Sequence, residues 1–237
     1  MDTKAGRRAI AVVVTLLAAG GCDPLPTEPD PPPTSPPPVA PPPVSCATRP
    51  GGVRPAFGPP LFCGPTGPAA VGTLRDLNAF WSSSVQACSC GPDAFAQGCT
   101  NNAFVTPNGL GYIYYDASFL NGLSGATGSF LPPAYFLAHE FGHNIQLAYG
   151  RAYPAAIARE LSADCYAGYF MGWLACSSRT NQAEIQQALA FACSIQDPLG
   201  TPWWDPRAHG TCAQRVDAVL KGFRANLATV PPIDACG

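Results

Sequence analysis

The chain has 237 residues, enough to bury a sizeable core in one domain with accessory segments. Charged residues make up 12%, about half the usual quarter, and the formal net charge is −2. No basic cluster follows Arg8, so nucleic acid is excluded as the expected partner.

The first expected element is a signal peptide over Met1–Cys22. Lys4, Arg7 and Arg8 open it, Ala9–Ala19 is its apolar core, and Ala19-Gly20-Gly21-Cys22 is a small-residue cleavage site. The apolar run is shorter than the roughly 20 residues that span a bilayer. Because the site ends on cysteine it resembles the lipobox of bacterial lipoproteins, which implies lipidation of Cys22. The alternative is an ordinary secretory signal that leaves Cys22 a free thiol. Parity favours the lipobox: of 11 cysteines, removal of Cys22 leaves an even number able to pair in an oxidising compartment. Such bridges each contribute about 2–4 kcal/mol, and their connectivity is not legible from sequence.

Asp23–Ser45 is expected to be a linker. Twelve of the 28 prolines fall between Pro24 and Pro43, a composition that stays extended at about 3.1 Å per residue. Cys46–Ala70, rich in proline and glycine, reads as irregular chain held by Cys46 and Cys63. Leu74, Leu77, Phe80, Trp81 and Val85 recur at helical spacing, which predicts a helix from Val71 to about Gln86. Ser89–Gly109 is polar and cysteine-bearing, hence a cross-linked loop, and Tyr112–Asp116 alternates as a short strand.

The stretch Ala134–Gly150 contains His139, Glu140 and His143 as H-E-x-x-H. On a helix, residues four apart lie one above the other, so both imidazoles point at one spot with Glu140 beside it as a base. Pro132 and Pro133 suit a first turn and Gly150 a helix end. The helix is apolar on most sides, and buried imidazoles need a partner that a metal supplies. The bland reading is two core histidines bonded to backbone. Catalytic zinc takes three protein ligands. A second helix, from near Pro154 to about Cys176, carries Glu160 and Asp164 on one face: Glu160 is assigned as third ligand, Asp164 as the carboxylate that receives the other N–H of a ligand histidine. An exposed acidic pair is the competing reading. Asn181 with Glu184 predicts a capping box and a further helix to about Cys193. Asp197–Pro206 is a loop whose Trp203 and Trp204 are expected to pack over the core rather than line a cleft.

Three ordered stretches, H-E-F-G-H-N-I-Q from His139, E-L-S-A-D-C-Y-A-G from Glu160 and H-G-T-C-A-Q-R from His209, resemble the signatures of the bacterial neutral zinc metallopeptidase family, whose members resemble gluzincins. The likeness spans about Val71 to Phe223. It implies His139, His143 and Glu160 as ligands of one Zn2+ per chain and Glu140 as general base. General zincin chemistry adds His209 as donor to an oxyanion, or as a surface histidine at a helix start. Arg215 either orients His209 or pairs with a carboxylate such as Asp164. By the same resemblance the strand at Tyr112–Asp116 is the candidate edge for pairing with an extended peptide. Asn144 departs from the histidine that often follows the motif.

The expected protein is thus an α+β, mainly helical, disulfide-braced zincin-like domain over 46–237, with a small sheet beside the active-site helix. It follows a signal peptide (1–22) and a linker (23–45). It is expected to be a monomeric zinc metallopeptidase acting on peptides or proteins, anchored by lipid to a bacterial membrane on the periplasmic or extracellular side. The alternatives are a non-catalytic envelope lipoprotein that keeps the fold as a binding module, and a structural envelope protein whose two helices are only packed.

Overall fold

The computed structural model describes residue 46 and residues 61–63, 68–81, 86–89, 100–105 and 113–237. The signal peptide and linker expected over 1–45, Cys22 among them, lie outside these residues, as do Val85, Cys90, Cys99 and Tyr112. Among the described residues the chain is mainly helical, with one small sheet.

The sheet has four short strands in the order β1-β2-β4-β3: β1 is Leu61–Cys63, β2 Gln86–Ser89, β3 Ala103–Val105 and β4 Ile113–Tyr115. β1, β2 and β4 run parallel, and β3 runs antiparallel to β4 at one edge. Two expectations are corrected here. The region 89–109 contains a strand, β3, and the strand near 112–116 is not an edge. Ile113 of β4 is paired with Ala87 on one side and Val105 on the other, so its backbone groups are committed to the sheet. Alternation identifies a strand but carries no information about which neighbours it has.

Asp116 ends β4 and caps α2 (Ala117–Thr127), accepting from the N–H groups of Ser118 and Phe119. The glycines and serines of this segment are poor helix formers, which hides the helix from a periodicity reading. α1 (Pro68–Trp81) starts earlier and stops earlier than its apolar spacing suggests, because Gln86 is already in β2. α3 (Leu131–Ala148) has Pro132 and Pro133 in its first turn, and Gly150 follows it at φ 58°. α4 (Ala156–Cys176) and α5 (Gln182–Ser194) follow, the latter with the reciprocal Asn181–Glu184 capping box. α6 (Cys212–Leu227) has a second such box, Thr211 with Gln214, and α7 (Pro232–Cys236) closes the chain.

α4 packs between α3 and α6, and glycines set both approaches. A Cβ on Gly142 of α3 would lie 2.9 Å from the Cα of Ala163 in α4. On the other side, Gly168 faces the carbonyl of Val219 and Gly222 that of Cys165, with no room for a methyl group at either. The resulting core holds Trp81, Tyr115, Tyr135, Phe141, Tyr166, Phe170 and Phe223 at under 2% exposure. Burial of an apolar side chain of this kind contributes about 1.5–3 kcal/mol.

Three disulfides join described cysteines: Cys46–Cys176, Cys165–Cys236 and Cys193–Cys212. They tie Cys46 to the end of α4, α4 to α7, and the end of α5 to the start of α6. No helix among the described residues is long and apolar enough to cross a membrane.

Candidate metal centre

α3 presents His139 and His143 on one face, their rings perpendicular with centroids 4.9 Å apart. The close approach at Gly142 brings the first turns of α4 against that face, and Glu160 with them. Its Oε2 lies 3.2 Å from His139 Nε2 and 3.3 Å from His143 Nε2. Two imidazole nitrogens and one carboxylate oxygen thus converge within 4.8 Å of one another, a donor set able to hold a metal ion.

The other nitrogen of each ring has a partner. His139 Nδ1 lies 2.7 Å from Asp164 Oδ1, and His143 Nδ1 lies 2.9 Å from Gln146 Oε1. Both acceptors hold a proton on Nδ1 and turn Nε2 toward Glu160, so that Nε2 is the nitrogen each ring would offer a metal. The donor chemistry therefore fits a divalent ion at the point where the three atoms meet.

Asp164 has no exposed side-chain surface and sits at the centre of a network. Arg215 of α6 grips it with two parallel bonds, Nε to Oδ2 at 3.0 Å and Nη2 to Oδ1 at 2.9 Å. The Tyr135 hydroxyl donates to Asp164 Oδ1 and accepts from Arg215 Nη2, while Arg215 Nη1 donates to the carbonyl of Ile195. Of the two roles expected for Arg215, the geometry gives it the carboxylate partner. Arg159, next to Glu160, donates to Glu160 Oε1 at 3.1 Å, the oxygen that does not face the histidines.

Electrostatics follow from burial and these partners. Burial works against a charged His139, but Asp164 beside it, with Glu160, pushes its pKa up to about 10. Glu160 moves the opposite way: burial alone would raise it, and the bonds from His139 and His143 hold it well below the usual carboxylate range. Asp164 is lowered likewise, burial being outweighed by His139 and Arg215. Glu140 is raised, chiefly by burial, with His139, His143 and His209 acting against the rise.

These side chains open onto a cavity of about 700 Å3. One wall is the sheet edge β3 with Asn101 and Asn102, and another is formed by Phe119, Phe136 and Phe191. His209 also lines it, about half exposed, in the loop between α5 and α6. Asp197 fixes that loop: its Oδ2 accepts from the backbone N–H groups of His209 and Gly210, each at 2.7 Å. Trp203 and Trp204 stand edge to face in the same loop at 62% and 67% exposure, away from the core they were expected to cover. Sequence reasoning missed Tyr135, Gln146 and Arg159. The first two were legible in principle, standing four residues before His139 and three after His143, hence on the ligand face.

The Escherichia coli protein YpfJ is 30% identical over 137 residues, covering 48% of this chain and 47% of its own length. Rv2575 of Mycobacterium tuberculosis is 31% identical over 143 residues, covering 47% of this chain and 48% of its own. Both are named as uncharacterized proteins, and the chain spans about half the length of these curated relatives. No protein-family model matches the chain. No solved structure matches it.

Proposed function

We propose that this chain is a zinc-dependent peptidase, with His139, His143 and Glu160 as ligands and Glu140 as general base. The observation that carries the reading is the meeting of three ligand atoms at one point, with a fourth, acidic side chain beside them in an open cavity. Zinc held there would supply a Lewis acid and lower the pKa of a water to about 7.

Glu140 takes a proton from the attacking water and returns it to the leaving amine. Its raised pKa, chiefly from burial, makes the carboxylate a stronger base toward the water. His209, held over the cavity by Asp197, donates to the oxyanion of the tetrahedral intermediate. The backbone of β3 receives the peptide, because it is the sheet edge that faces the cavity. Lipidation at Cys22 and the linker would hold this zincin-like domain to a bacterial membrane on its periplasmic or extracellular side.

The test is metal content and cleavage on the oxidised protein. Wild type is expected to hold one zinc per chain, and His143→Ala none. Glu140→Gln is expected to keep the zinc and lose about 10²–10⁴-fold in cleavage rate, the range of a general base. Wild-type rates in Glu140→Gln would remove the base from the mechanism, and a metal-free wild type would remove the peptidase reading.

A further inference from the structure

Gln146 belongs to no ligand set, yet its side chain is buried between the two helices that carry the ligands, the residue being 4% exposed. Its amide nitrogen donates to the backbone carbonyl of Arg159 at 2.7 Å, and its amide oxygen lies 2.9 Å from His143 Nδ1. The chemistry of the first contact dictates the second. A carbonyl only accepts, so the amide must turn its NH2 toward Arg159, which leaves Oε1 facing the imidazole. An amide oxygen also only accepts, so His143 must carry a proton on Nδ1, which leaves Nε2 as the nitrogen able to meet a metal. That nitrogen lies 3.3 Å from Glu160 Oε2. Arg159 is the residue directly before Glu160, so the same amide that sets the His143 ring also holds the backbone of the third ligand.

We propose that Gln146 is the positioning residue of the centre: a single buried amide that locks the His143 tautomer and braces α4, and with it Glu160, against α3. The proposal rests on the metal reading above. It also makes the two histidines unequal. His139 is oriented by a charged carboxylate that strengthens it as a base, whereas His143 is oriented by a neutral group that fixes geometry without adding charge.

The experiment compares the full oxidised chain with Gln146→Leu and Gln146→Glu. Zinc affinity is read by competition with a chromophoric chelator, and ring-nitrogen NMR shifts of the neutral His143 are read on the metal-free protein. The chain has three histidines, so assignment is direct. Gln146→Leu, which removes both bonds, is expected to weaken zinc about 10–100-fold and to move His143 toward the Nε2–H form. Gln146→Glu keeps an acceptor for Nδ1 but faces Arg159 with a second acceptor. It is expected to retain the Nδ1–H tautomer, bind zinc between wild type and the leucine variant, and supply the test if the leucine variant does not fold. Unchanged zinc affinity in either variant, or unchanged ring shifts in Gln146→Leu, overturns the proposal, as does an Nε2–H His143 in the wild type. A wild type that shows the Nδ1–H tautomer but takes up no zinc overturns the metal reading and leaves the positioning role of Gln146 standing.

Discussion

Asp164 accepts from His139, Tyr135 and Arg215 with no surface of its side chain in solvent. A carboxylate buried in this way is stable only while its donors are present. Arg215→Met is therefore expected to destabilise the fold by about 3–5 kcal/mol, the range for removing one partner of a buried pair, measured by denaturant unfolding. The ionisations predict a pH profile as well. The folded pKa of His139 is raised from 6.5 to about 10 in the metal-free protein. Its contribution to stability is then fully present below pH 6.5 and is lost as pH rises toward 10. Asp164 and Glu160 are lowered, so theirs is present above the ordinary carboxylate range and lost on acidification through it. The metal-free melting temperature should thus fall on both sides of neutrality. Zinc affinity should rise with alkalinity, because the proton on His139 competes with the metal. A flat melting profile between pH 6.5 and 10 would contradict the assigned role of Asp164. At this scale the sequence was most informative: the four-residue spacings of His139 with His143 and of Glu160 with Asp164 locate two faces that do meet. The spacing puts Gln146 on the ligand face, but its second bond, to the Arg159 carbonyl, was not legible because it is a contact between helices, which no spacing within one helix encodes.

At the scale of elements the glycines divide into two kinds. Gly142 in α3 stands against the Cα of Ala163, and a methyl group there must push α3 and α4 apart by a few tenths of an ångström. Gly142→Ala is expected to cost about 1–3 kcal/mol as overpacking, and to weaken metal binding because the same contact sets the distance between His143 and Glu160. Gly122, inside α2, has no heavy atom within 4 Å of where its Cβ would be. Gly122→Ala is expected to stabilise by about 0.5–1 kcal/mol through helix propensity alone. Thermal unfolding of the two variants side by side distinguishes packing from propensity, and equal shifts would refute the distinction. Helix ends were legible where a local device marks them, as at Asn181 with Glu184. α2 and β3 were not, since a short strand at a sheet edge and a glycine-bearing helix owe their form to what they pack on.

For the molecule as a whole, the disulfides determine which parts hold together. Cys193 and Cys212, 19 positions apart, close a segment that carries Asp197, His209 and both exposed tryptophans, and Arg215 stands three positions beyond it. Replacing both cysteines by serine is expected to cost about 2–4 kcal/mol in unfolding free energy, with His209 losing its place over the cavity. An unchanged unfolding midpoint would show that the α5–α6 connection is held by its hydrogen bonds alone. Even cysteine parity pointed to bridges of this kind, but which cysteines pair depends on the path of the chain in space.

The bond between Arg215 and Asp164 joins residues 51 positions apart, and this gives the centre an order of assembly in time. During synthesis His139, His143, Glu160 and Asp164 all leave the ribosome well before Arg215 does. Until α6 docks on α4, Asp164 is a buried-to-be carboxylate with no guanidinium to meet it, and His139 has no firmly held partner. The side chains able to hold a metal ion are thus all present before the pair that fixes Asp164 is complete, and the centre takes its final geometry only when the last long helix docks on α4.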